Sequence, residues 1–83
     1  MLWTFLRIYF YHVDLSKKIG QRIIELRKSK GLSQEQLAAL AEVHEDYIGK
    51  IERGERTPSI KKIFTLTVAL EITLEEFFKP FNQ

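Results

Sequence analysis

From Leu15 onward, apolar residues recur every three or four positions. Leu15, Ile19, Ile23 and Leu26 predict a first helix over about Ser16–Lys28. The run Lys28-Ser29-Lys30-Gly31 ends it, with cations at the negative helix end and a glycine suited to a left-handed cap. Ser33-Gln34-Glu35-Gln36 reads as a capping box that opens a second helix to about Ala41, with Leu37, Ala38 and Ala41 inward. After Glu42-Val43-His44, a third helix runs from about Glu45 to Arg53 with Ile48 and Ile51 inward, and Gly54 stops it. Thr57-Pro58-Ser59 forms a turn and N-cap. A fourth helix follows to about Leu70, turning Ile60, Ile63, Leu66, Ala69 and Leu70 inward. Thr73-Leu74-Glu75-Glu76 is a second capping box, opening a short fifth helix through Phe78 that Pro80 ends.

The first thirteen residues, MLWTFLRIYFYHV, follow a different pattern. They hold Trp3, Phe5, Tyr9, Phe10 and Tyr11, half of the chain's ten aromatics. Aromatic and β-branched content favours an extended arm or edge strand, with a short helix as the alternative. So apolar a segment is expected to dock on the domain or on a partner chain. Arg7 interrupts the apolar run and no small-residue cleavage site follows, which argues against a secretory signal. The chain thus divides into an arm (1–14), an all-α five-helix domain (15–79) and a short tail (80–83).

With 83 residues, 45% of them hydrophobic and 29% charged, the chain has the make-up of one small folded domain. The absence of cysteine excludes a disulfide framework, a thiol nucleophile and thiolate zinc sites. Two isolated histidines give no metal site, and no apolar run reaches the ~18 residues of a membrane span. His12, Asp14 and Ser16 lie close together, but no nucleophile elbow or glycine-rich loop accompanies them, so no enzyme is expected. Neither a cofactor nor a small-molecule ligand is expected, and the location is read as cytoplasmic. The net charge is only +2, yet Lys17, Lys18, Arg22, Arg27, Lys28 and Lys30 face Glu25 alone between Lys17 and Gly31. A basic segment on a nearly neutral body suits either a polyanion or an ordinary solvated helix face.

Two short helices joined by three residues, Glu42 to His44, make a corner whose second helix fits a major groove about 12 Å wide. The strings GLSQEQLAALAEV, YIGKIERGERTPS and ALEITLEEFF, in that order, resemble the Cro/lambda-repressor-like (XRE-type) helix-turn-helix family over residues 16–78. Within it, the YI–IERG string and small size are most similar to restriction–modification controller proteins and small phage-type repressors. On the third helix, Glu45, Asp46, Gly49, Lys50 and Arg53 share one arc free of large apolar residues. The resemblance implies base contacts from His44, Glu45, Asp46, Gly49 and Lys50. Lys50 suits guanine O6/N7, and an acid suits cytosine N4. Phosphate contacts are expected from Ser33 and Gln34 at the positive start of the second helix, and from Arg53, Arg56, Lys61 and Lys62.

The resemblance further implies an ion pair between Arg27 and Glu52. It also implies a homodimer built around the fifth helix through Val68, Leu74, Phe77, Phe78 and Phe81. The expected activity is a transcriptional regulator that binds a palindromic stretch of double-stranded DNA. The alternative is a protein-interaction module or antitoxin on the same scaffold, suggested by the acidic pair Glu45-Asp46 opening the third helix. The chain departs from the family at Glu42 and Glu71, where glycine is usual, and at His44, where serine or threonine often caps.

Overall fold

The computed structural model describes residues 2–82, and the side chains of all of these except 9–13 and 82. Five α-helices follow one another: α1 (Leu2–Ser29), α2 (Gln34–Ala41), α3 (Glu45–Glu52), α4 (Ile60–Ala69) and α5 (Leu74–Phe78), with a last 3-10 turn over Lys79–Asn82. The helix-turn-helix is α2–α3. Both helices are only eight residues long, too short to persist in water alone, so tertiary packing must hold them.

That packing is a single apolar cluster. Ile19, Ile23 and Leu26 from α1 meet Leu37, Ala38 and Ala41 from α2, and Ile48 and Ile51 from α3. Ile63, Leu66 and Leu70 from α4 and its C-cap, with Phe77 of α5, close it. Phe77, Ile23, Leu37, Ile48 and Ile51 are fully buried. The starts of α2 to α5 are capped. Ser33 accepts from the Gln36 N–H and donates its own N–H to the Gln36 side chain, the full box. Ser59 accepts from the Lys62 N–H and Thr73 from the Glu76 N–H. Gly31 closes α1 in the left-handed conformation (φ 70°), as its position after the basic run predicts.

Two expectations are corrected. The aromatic N-terminal segment is not extended: α1 runs unbroken from Leu2, so no arm is set off from the domain by a change of backbone. A helix whose inner half is fixed by packing adds residues at one hydrogen bond each, without a second nucleation cost, and this outweighs the strand preference. The described side chains at its start, Leu2, Trp3, Phe5, Leu6 and Ile8, are exposed; Tyr9, Phe10 and Tyr11 lie outside the described side chains. Leu15 and Ile60, expected inward, are exposed as well, because each sits at the edge of its stripe where the neighbouring helices have ended. The fifth helix ends at Phe78 as expected, and Pro80 lies inside the 3-10 turn that follows it.

Glu42 (φ 56°) and Glu71 (φ 59°) occupy the left-handed region that usually demands glycine. Glu42 closes α2 with its N–H turned back to Ala38 and Ala39 carbonyls, so the geometry is that of a glycine cap without the glycine. Glu42→Gly is therefore expected to stabilise the domain by about 1 kcal/mol, raising the melting temperature by ~4–8 °C. Thermal unfolding followed by circular dichroism reads this directly, and an unchanged or lower midpoint would show that the left-handed glutamate carries no strain.

Candidate nucleic-acid interface

The recognition face of a helix-turn-helix depends on what holds its second helix. Here α3 is fixed at its C-terminal end by a nearly buried carboxylate. Arg27 of α1 donates from Nε to Glu52 Oε2 at 2.6 Å and from Nη2 to Oε1 at 3.0 Å, a bidentate fork. A third donor, Nη1, reaches the Leu32 carbonyl at 2.9 Å, and Gln34 Nε2 adds a bond to Glu52 Oε1 at 2.9 Å. Only 12% and 4% of the Arg27 and Glu52 side chains are exposed, so both charges depend on each other. One carboxylate thus ties the end of α1, the start of α2 and the end of α3 together.

Gln34 is corrected accordingly. Its side-chain amide is turned inward to Glu52, so it is the helix N-terminus itself, with backbone N–H groups that lack partners within the helix, that stays open to an anion beside Ser33. Close packing adds a second constraint. A Cβ on Gly20 would come within 2.4 Å of the Ile51 carbonyl oxygen and 2.8 Å of the Glu52 oxygen. Only a glycine lets α1 cross the end of α3 at this distance. The sequence carried a signal for it, a lone glycine on the inward side of a strong helical pattern.

The outer face of α3 is open. His44, Glu45, Asp46 and Lys50 are exposed, and His44 caps the helix by accepting the Asp46 N–H on Nδ1 at 3.1 Å. The histidine does the work of the usual hydroxyl residue. Gly49 is the exception: it is buried, and a Cβ there would meet Arg53 Nη1 at 3.0 Å. The Arg53 guanidinium covers it, so Gly49 is reached from outside only once that flexible side chain swings aside.

The flanking cations are placed around this face in two settings. Lys61 and Lys62 are exposed in the first turn of α4. Arg53 pairs with Glu55 at 2.5 Å, which holds the Glu55 carboxyl below the usual carboxylate range and the Arg53 guanidinium above its own. Arg56 lies over the Tyr47 ring, 5.2 Å from its centre. Burial pushes the Tyr47 hydroxyl up, and the Arg56 charge opposes that shift. The basic stretch of α1 is not one continuous cationic face. Arg27 is spent on Glu52, and Arg22 caps the end of α5, donating to the Phe77 carbonyl at 2.8 Å and the Glu76 carbonyl at 2.6 Å. Lys17, Lys18, Lys28 and Lys30 remain exposed.

Of the residues expected at a dimer contact, Val68 is exposed, and Leu74, Phe78 and Phe81 are half-buried around the core. Phe77 is corrected: it is fully buried, edge-on to Phe78 and stacked on Phe81, and supports α5 from inside. Two residues the sequence reading did not place there, Ile60 and Phe64, are exposed in line with Val68 at four-residue steps along α4.

A helix-turn-helix family model matches residues 23–77. The chain is 31% identical over 71 residues to the HTH-type transcriptional regulator y4dJ of Sinorhizobium fredii, covering 86% of this chain and 92% of that protein. It is 36% identical over 71 residues to the control protein C.MunI of a Mycoplasma species, covering 84% and 96%. Among solved structures, the restriction–modification controller protein C.AhdI of Aeromonas hydrophila superposes with a TM-score of 0.77 at 46% identity, covering 81% of this chain and 97% of that one. The controller protein C.Esp1396I, solved as a tetramer in complex with its natural 35 base-pair operator, matches with a TM-score of 0.77 at 32% identity, covering 82% and 90%.

Proposed function

The chain belongs to the helix-turn-helix family of transcriptional regulators and restriction–modification controller proteins, and from that membership we propose that it is a sequence-specific DNA-binding regulator. It binds a palindromic operator as a homodimer, each copy laying α3 in a major groove, the two about 34 Å apart. One observation carries this reading: the face of α3 bearing His44, Glu45, Asp46 and Lys50 points to solvent while its opposite face is locked to α1 and α2 through Glu52. A helix held this rigidly from behind and open in front is what base reading requires.

Roles follow from placement. Lys50 donates to guanine, and Glu45 or Asp46 accepts from cytosine. The start of α2 at Ser33 and Gln34, with Arg53, Arg56, Lys61 and Lys62, grips phosphate. Arg53 exchanges Glu55 for phosphate and uncovers Gly49 as it does so. The pair Glu45-Asp46 repels phosphates, so nonspecific affinity is low and the flanking cations supply most of the attraction. The dimer contact uses Val68 and Phe64 of α4 with Leu74, Phe78 and Phe81. Control comes from the regulator's own concentration, in the cytoplasm with its DNA, and no catalytic step is involved.

Fluorescence anisotropy with the DNA upstream of its own gene, at two salt concentrations, tests the reading. Lys50→Ala is expected to relax preference at one base pair per half-site, a change of about 5- to 150-fold for that base. Arg53→Ala or Lys61→Ala is expected to weaken all sequences alike and to lower the salt slope by about 1. Uniform weakening by Lys50→Ala would remove its base-reading role, and salt-independent binding would remove the DNA reading altogether.

A further inference from the structure

His44 stands at the N-cap of α3 with an extended backbone (φ −74°, ψ 145°), and its carbonyl accepts the Tyr47 N–H at 3.0 Å. Its ring Nδ1 accepts the Asp46 N–H at 3.1 Å. An imidazole nitrogen accepts only while it carries no proton, so the cap needs the neutral ring with its single proton on Nε2. The competing arrangement puts the proton on Nδ1 and directs it at the Asp46 carboxylate. That oxygen lies 3.7 Å away, beyond hydrogen-bond reach, and the Asp46 N–H would then face a second donor. The cap therefore selects the tautomer.

A serine or threonine in this place spends its one side-chain oxygen on the helix. Histidine divides the task between two atoms: Nδ1 faces the helix start, and Nε2 lies across the ring from it. The His44 side chain is 79% exposed, and the two that follow, Glu45 and Asp46, are exposed carboxylates that only accept. Among these three side chains the imidazole alone offers a donor. We infer that His44 reads DNA as a neutral hydrogen-bond donor through Nε2–H while Nδ1 caps α3. Its partner is an acceptor atom on the duplex: guanine O6 or N7, adenine N7, thymine O4, or a phosphate oxygen. The amino groups of adenine and cytosine are excluded, since Nε2 has no free lone pair in this tautomer. The cap bond holds the ring against the first turn before DNA arrives, so less side-chain freedom is lost on binding. The assignment rests on α3 being the helix that meets DNA.

Two near-isosteres separate the two atoms. Asparagine places an oxygen acceptor where Nδ1 stands and has nothing at Nε2. Glutamine places its amide near Nε2 and has no acceptor at Nδ1. His44→Asn is expected to melt at the wild-type temperature or above, because asparagine is among the strongest caps. In fluorescence anisotropy it is nevertheless expected to bind the DNA upstream of its own gene about 2- to 10-fold more weakly. His44→Gln is expected to melt ~4–8 °C lower, while its affinity, corrected for the folded fraction, falls by less than that of His44→Asn. A histidine that served as a cap alone would give affinities that follow the melting temperatures. A loss confined to one base pair per half-site identifies a base edge as the partner; an equal loss on every duplex identifies a phosphate. At about pH 8.5, where an ordinary imidazole is neutral, two-bond 1H–15N spectra of the DNA-free chain are expected to show the His44 proton on Nε2, its signals identified by their loss in His44→Asn. A proton on Nδ1, wild-type affinity in His44→Asn, or a loss of affinity in His44→Gln as large as that in His44→Asn would overturn the proposal. A wild type that binds no duplex in a salt-dependent way removes the DNA reading and the donor role with it, whereas failure of the variants alone leaves that reading standing.

Discussion

Glu52→Ala is expected to lower the unfolding free energy by up to about 3–5 kcal/mol, because it strands the Arg27 guanidinium in a site that is only 12% open to water. A domain of this size has roughly 4–12 kcal/mol in all, so the variant is expected to be partly unfolded at 37 °C. The loss exceeds that of an ordinary surface pair, worth ~0–1 kcal/mol, since Arg27 loses both bonds of its fork and a further group, the amide of Gln34, loses its partner. Urea unfolding followed by circular dichroism measures it. The double variant Arg27→Met/Glu52→Leu separates the two possible causes. If the stranded charge is responsible, removing both partners restores most of the loss, as apolar replacement of buried ion pairs commonly does. A loss under about 1 kcal/mol in Glu52→Ala would mean that water reaches Arg27 freely.

Gly20→Ala is the second large effect, and its sign is the informative part. By helix propensity alone, alanine at a mid-helix position is better than glycine by about 1 kcal/mol. The added methyl, however, would sit 2.4 Å from the Ile51 carbonyl oxygen and 2.8 Å from that of Glu52, both backbone atoms that cannot turn away. The helices must separate, and overpacking of this kind costs ~1–3 kcal/mol, with the Glu52 carboxylate displaced from the Arg27 fork as well. The urea midpoint is expected to fall. DNA affinity, corrected for the folded fraction, is expected to fall too, since α3 is tilted relative to α2. A midpoint at or above wild type would show that the crossing has slack.

The two variants also mark where the sequence could be read and where it could not. The capped helices from α2 to α5 were legible because periodicity and cap chemistry agree there: Ser33 and Gln36 form the full expected box and Ser59 caps α4, while Thr73 accepts the Glu76 N–H without the return bond from the Glu76 side chain that a box requires. The first segment was misjudged because its aromatic content speaks for a strand, while the stripe through Phe5, Ile8 and Leu15 is in step with Ile19 and Ile23 and lets the helix continue. Side-chain commitments were the least legible. Arg22 and Gln34 look alike on paper as donors for a polyanion, yet the first caps α5 and the second joins Arg27 on Glu52, a pairing of Arg27 that only the family resemblance gave. Which donor is spent internally depends on where a distant carbonyl or carboxylate lies, and that is a property of the packed tertiary structure. Phe77 shows the same limit, since a Phe-rich end reads equally as core or as contact surface until α5 is docked.

Both left-handed glutamates, at 42 and 71, have a genetic consequence. Every glutamate codon becomes a glycine codon through one A-to-G transition at its second base, so relief of either strained cap is a single replication error away. A random library screened for survival of heating should return these two changes early and repeatedly, ahead of any substitution that must repack the interior.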